Sequence, residues 1–208
     1  MKELDNHHSH NSHKAHKPYR PHKNYKTIYR PFPPFSFFIF LFSFFILFTS
    51  CEKAEQLYSN NTVRFIFENT QMVPQLNTSL NNPGEFCTIS AHNNQWIFSS
   101  PSYKEDFPYN ITERDLVRKP VLGLNGLIVG VPFLQESNKP VCFDRACRKC
   151  YEDFRVTRAL TLQEGQRATC GRCHRTYNLN NLGISDDGAK LYQYPVQYGN
   201  NNLIISNN

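Results

Sequence analysis

Seven cysteines stand at positions 51, 87, 142, 147, 150, 170 and 173, and four of them form two Cys-x-x-Cys pairs, Cys147-Arg148-Lys149-Cys150 and Cys170-Gly171-Arg172-Cys173. A Cys-x-x-Cys turn bends two thiolates toward one point. Two such turns at opposite ends of a hairpin supply the four sulfurs of a tetrahedral metal site. Arg148, Lys149 and Arg172 are expected to place positive charge near sulfur and favour thiolate over thiol, and Gly171 to permit the tight turn. The competing reading is two disulfides in an oxidising compartment. A bridge between residues three apart closes a very short loop and constrains little, whereas one ion organises both turns together, so metal leads. Four thiolates suit a single Zn²⁺, with a four-cysteine [2Fe-2S] cluster or a rubredoxin-type single iron as the alternative.

Cys170 to His174 also reads CGRCH, the attachment sequence of c-type haem. A haem would leave Cys147 and Cys150 without a purpose, and its distal ligand is hard to supply from a domain so poor in His and Met. His174 is therefore read as an exposed turn residue and a disfavoured ligand, and His92 as a surface residue. No Ser-His-Asp set, phosphate-binding glycine loop or metalloprotease helix is present. Asp144, Glu152, Asp186 and Asp187 are scattered in turns and beside the site, as solvated or supporting groups rather than catalytic acids. The expectation is a non-catalytic protein. Cys87 and Cys142 are left over, and spacing does not decide their pairing.

The elements that must carry this site follow an address. Of the 208 residues, 1–30 hold 7 Lys/Arg, 2 Asp/Glu and six of the eight histidines, with no apolar periodicity, which reads as a disordered basic leader. Phe35 to Phe48 (FSFFIFLFSFFILF) is uncharged, and 14 residues of helix span about 21 Å, short of the roughly 30 Å hydrocarbon core. Residues 31–51 are read as a signal-peptide apolar region closed by Thr49-Ser50-Cys51, which resembles a bacterial lipobox with Phe48 in place of the usual Leu. By that resemblance Cys51 is lipidated, residues 52–61 tether the domain to a membrane, and the chain is exported to the cell envelope. From Glu52 onward the chain carries 16 basic and 15 acidic residues, a balance that argues against nucleic-acid binding.

Residues 62–208 read as many short strands. Val63, Phe65 and Phe67 alternate with Arg64, Ile66 and Glu68 as a half-buried strand would, Asn81 to Gly84 is a turn, and Phe86 to Ser90 and Trp96 to Phe98 are short strands. Asn125-Gly126 between two apolar runs is the strongest hairpin signal. Lys139 to Asp144 leads into the first cysteine pair, Arg158 to Leu162 and Gln166 to Thr169 flank Glu164-Gly165 as a hairpin, and Leu203 to Ile205 closes the domain. With no long helical period, the class is an all-β sandwich or barrel, its metal-binding loops within 142–183.

The segment Cys170-Gly-Arg-Cys173-His-Arg-Thr-Tyr177-Asn-Leu followed by Gly183 resembles the second cluster-binding loop of Rieske proteins, and Ala146-Cys147-Arg-Lys-Cys150 occupies the place of the first. Together with the lipobox, the chain from Thr62 is similar to Rieske-like lipoproteins of Bacteroidetes. That resemblance implies a Rieske-like β domain. A Rieske centre binds one iron through two Cys and the other through two His, whereas Cys150 and Cys173 stand where the histidines are expected, so four Cys replace Cys₂His₂. The resemblance therefore bears on fold more than on electron transfer.

Overall fold

Apolar residues at every second position build the domain from strands buried on one or both faces. In the computed structural model, residues 58–134 and 138–207 are described. The expected leader, the apolar run with Cys51 and the tether as far as residue 57 lie outside them. Among the described residues fourteen strands form three antiparallel sheets, an all-β architecture as the sequence implies.

The first sheet joins β13 (Val196–Gly199), β14 (Asn202–Ser206), β1 (Val63–Phe67) and β5 (Val121–Leu122) in that order. The central sheet runs β12 (Gln193–Tyr194), β7 (Val141–Asp144), β6 (Leu127–Gly130), β2 (Phe86–His92), β3 (Gln95–Ser99) and β4 (Phe107–Asn110). The third is β11 (Ile184–Ser185), β10 (Thr176–Asn178), β9 (Arg167–Cys170) and β8 (Leu160–Gln163).

The central sheet is the middle layer, because alternate residues of its inner strands enter two different cores. Cys87, Ile89, Leu127, Val129 and Cys142 join Val63, Phe65, Phe67, Leu203 and Ile205 of the first sheet. Phe86, Ile128, Val141 and Phe143 point the other way, onto Leu160, Ala168, Tyr177 and Leu179 of the cysteine-bearing region. This explains why Phe86 to Thr88 and Leu127 to Gly130 read as continuous runs: both faces of these strands are buried. The first core is rich in edge-to-face aromatic pairs, Phe65 on Trp96 at 5.2 Å and Phe67 on Tyr109 at 5.0 Å.

Three expectations change. Asn125-Gly126 does not make a hairpin, because β5 pairs with β1 while β6 pairs with β2 and β7, so the turn carries the chain from one sheet to another. Tight hairpins occur instead at Asn93-Asn94 and Asn200-Asn201, where both central residues have positive φ, the pattern of a type I′ turn. Short helices also appear: α1 (Pro74–Asn81), α2 (Glu113–Val117) and α3 (Arg148–Phe154). α1 starts on Pro74, which needs no amide partner in the first turn, and buries Leu76 and Leu80, one turn apart, in the first core. Two leucines in eight residues are too few to show a helical period. The last residues of the expected tether lie on the domain edge, with the Ser59 amide donating to Gln193 O at 2.9 Å and the Asn207 side chain to Asn61 O at 2.7 Å.

Candidate metal centre

The segment before Cys147 is stitched to β8, and β8 is stitched to the strand that ends in Cys170. The Cys147 amide donates to Arg158 O at 2.8 Å and the Leu160 amide to Arg145 O at 2.7 Å. Leu160 in turn sits opposite Cys170 in the ladder. Backbone register thus brings the two pairs together across nineteen intervening residues.

Asp144 holds the approach to the first pair. Its buried carboxylate accepts the Ala146 amide at 2.7 Å, the Leu124 amide at 2.8 Å and the Tyr194 hydroxyl. Burial raises its pKa above the ordinary carboxylate value, against the pull of these donors. Gly123, at φ +65°, passes so close that a β-carbon there would lie 2.6 Å from the Tyr194 hydroxyl oxygen. Only glycine fits this approach. The sequence reading of Asp144 as a scattered carboxylate beside the site missed this; its place at the end of an apolar strand, two residues before Ala146, was the signal available.

The first pair is a helix start rather than a free turn. Cys147 is the N-cap of α3 and Cys150 lies in its first turn, while Arg148 with Glu152 (2.7 Å) and Lys149 with Asp153 (2.9 Å) pair along the helix. The second pair is a knuckle closed by the His174 amide donating to Cys170 O at 2.9 Å and the Cys170 amide to Arg175 O at 3.0 Å. Its left-handed residue is His174, at φ 57°; Gly171 has no positive φ and open space at its β-carbon position, so it is not what permits the turn.

All four sulfurs lie within 4.8 Å of one another. The close approaches cross between the pairs: Cys147 Sγ to Cys173 Sγ is 3.6 Å and Cys150 Sγ to Cys170 Sγ is 3.7 Å. Cys147, Cys150 and Cys170 are buried and Cys173 is exposed. The Tyr177 hydroxyl, itself buried, is 3.4 Å from Cys147 Sγ.

The charge near sulfur has a different source from the one expected. Arg148 faces Glu152 and the Tyr192 ring, Lys149 faces Asp153, and the Arg172 guanidinium lies 4.5 Å over the Phe154 ring. Backbone amides act instead. Burial pushes the Cys170 thiol up, but the N–H groups of Cys173 and Arg172, together with the thiols of Cys173 and Cys147, outweigh it and bring the group down to about 7. Burial raises Cys147, opposed by Tyr177 and the Cys150 N–H, and raises Cys150 further because three other sulfurs crowd it. Four thiols sharing one point form a group that could hold a metal ion.

Arg175, next to the knuckle, is clamped by Asp187 through Nε at 2.9 Å, and the Ser185 hydroxyl donates to the same carboxylate at 2.5 Å. This pair ties the knuckle to the turn after β11. His174 is exposed and its ring is not among the ligand atoms that converge on the four-sulfur point. His92 is exposed at the end of β2.

Cys87 and Cys142 are free, buried thiols on the first-core face. Each sits opposite Val129 in the ladder, so they are two strands apart, about 10 Å, too far for a disulfide. Burial raises both thiols well above their ordinary pKa.

No protein-family model matches the chain and no curated protein matches it. Among the described residues, no helix is long and apolar enough to cross a membrane.

Proposed function

We propose that Cys147, Cys150, Cys170 and Cys173 hold one Zn²⁺ as a structural centre in a non-catalytic, lipid-anchored domain of the cell envelope, related to the Rieske-like lipoproteins. One observation carries the metal reading. Four sulfurs about 2.3 Å from a central zinc form a tetrahedron with edges of about 3.8 Å, and the cross-pair separations are 3.6 and 3.7 Å. A two-iron cluster would insert sulfides and a second metal between thiolate pairs and hold some sulfurs farther apart than the 4.8 Å limit of this group. The compact set therefore supports a mononuclear site.

A mononuclear iron carrying electrons is the second reading. The Tyr177 hydroxyl on Cys147 and the amides on Cys170 favour it, because hydrogen bonds to ligand sulfur tune an iron potential. Elemental analysis and an absorption spectrum of the full chain separate the two. One zinc per chain and no visible absorption are expected; stoichiometric iron with visible charge-transfer bands would reverse the order.

The anchor rests on the apolar run ending in Thr49-Ser50-Cys51. Changing Cys51→Ala is expected to abolish lipid labelling and release the protein from membranes or leave it unprocessed. Undiminished labelling in that variant would remove the anchor from the proposal.

A further inference from the structure

Three of the four ligand thiols are sealed in the second core, at 0 to 1 % exposure, and the fourth, Cys173, is exposed. Cys173 opens into a surface cleft of about 310 Å³ shared with His174, Asp186 and Asp187, ample for a small solute. The sulfur nearest to it across the pairs is buried Cys147, at 3.6 Å. One sulfur is thus presented to solvent with a second behind it, shielded by the core.

We propose that Cys173 is an oxidation site at which a hydroperoxide opens the metal centre, with Cys147 as the resolving thiol. This rests on the four-cysteine metal reading. Thiolate character and exposure together decide which cysteine is oxidised first, and a bound metal keeps all four ionised while only Cys173 is accessible. Cys173 Sγ attacks the peroxide: an S–O bond forms, the O–O bond breaks, and hydroxide leaves. Cys147 Sγ then attacks the sulfenic sulfur, an S–S bond forms, the S–O bond breaks, and a second hydroxide leaves. Two thiolates are oxidised to one disulfide and one hydrogen peroxide is reduced to two hydroxides, which take two protons from the buffer to become two waters. Cys150 and Cys170 alone cannot complete a four-coordinate site, so the ion departs.

Cys87 and Cys142 provide an internal control, since both are buried away from the cleft with raised thiol pKa values and should stay reduced. The test uses the zinc-loaded full chain in detergent, hydrogen peroxide as the probe, a chromogenic chelator to read released zinc, and peptide mapping of disulfides at partial release. Zinc release in step with a Cys147–Cys173 disulfide is expected, reversed by a dithiol reductant plus zinc. A Cys173→His chain retains a fourth ligand but no exposed thiol, and should release zinc about tenfold more slowly or less. Zinc retained by the unaltered chain under peroxide, a first disulfide that excludes Cys173, or equally fast release from Cys173→His overturns the proposal. If Cys173→His holds no zinc, the disulfide map of the unaltered chain decides. A chain that binds no metal before peroxide is added overturns the metal reading itself, and is thereby distinguished from failure of the switch alone.

Discussion

The two faces of the central sheet bury the same residue type in different surroundings. On the first-core face Cys87 and Cys142 lie among Val, Leu, Ile and Phe, and burial is the largest influence on them, raising both thiols above their ordinary pKa. On the other face Cys147, Cys150 and Cys170 are as deeply buried, yet amides, a tyrosine hydroxyl and each other's sulfurs converge on them. Burial therefore does not separate packing cysteines from the four that could hold a metal ion. Convergence of several sulfurs and their donors on one point does.

The largest break in this comparison is expected from Cys150→Ser set against Cys142→Ala. Structural zinc in small domains contributes on the order of 10 kcal/mol, so Cys150→Ser should abolish stoichiometric metal and lower the melting temperature by more than about 10 °C at the usual 2–4 °C per kcal/mol for this size. Cys142→Ala deletes one sulfur from a packed core and should cost about 1–2 kcal/mol with metal content unchanged. Thermal melts with metal analysis check both, and loss of metal from Cys142→Ala would erase the distinction between the faces.

A finer test exchanges the two buried tyrosines. Tyr194 donates to the buried carboxylate of Asp144, and a hydrogen bond to a charged group contributes about 1.5–3 kcal/mol. Tyr194→Phe should lose stability in that range, read by denaturant midpoint, and leave metal affinity unchanged. Tyr177 contacts the Cys147 sulfur instead, so Tyr177→Phe should change stability less and weaken metal retention about tenfold in competition with a chelator. Exchange of these two outcomes would mean that the polar groups around sulfur support the fold rather than the metal.

The four clustered cysteines were legible because a Cys-x-x-Cys pair is a local pattern, and so was the all-β class, because alternation in Val63–Phe67 and Leu203 to Ile205 is local too. What brings the pairs together was not. The pairing of Arg145 and Cys147 with Arg158 and Leu160 depends on backbone amides, which carry no residue-type signal. Gly126 marked a reversal at Asn125-Gly126, but nothing local says whether the chain returns along the same sheet; β1 and β2, distant in sequence, decide it. Asn93-Asn94 and Asn200-Asn201 were readable in principle, since Asn tolerates positive φ. The helical start at Cys147 was hidden because the cysteine spacing alone suits both a knuckle and a first helical turn.

The smallest expected effect lies at the rim of the site, where Arg175 and Asp187 tie the knuckle to the following turn. The Arg175 guanidinium, followed by the Ser185 hydroxyl, holds the Asp187 carboxyl well below the ordinary carboxylate range. A carboxyl depressed by folding contributes stability above its unfolded pKa and loses it as pH falls toward the folded one. The contribution should therefore be constant from neutral pH down to about 4 and shrink below that. Because half of the Asp187 side chain is exposed, solvent screens the pair and the effect on stability is small. Zinc thiolates also protonate in acid, so melting alone would mix the two events. Carbon-13 titration of the Asp187 carboxyl isolates this one: it should titrate below the ordinary range in the unaltered chain and move up toward that range in Arg175→Gln, where the Ser185 hydroxyl still lowers it, with zinc content at neutral pH unchanged. An Asp187 carboxyl that titrates normally in the unaltered chain would show that the clamp does not hold the knuckle in solution, and would confine the polar organisation of this face to the buried sulfurs and their donors.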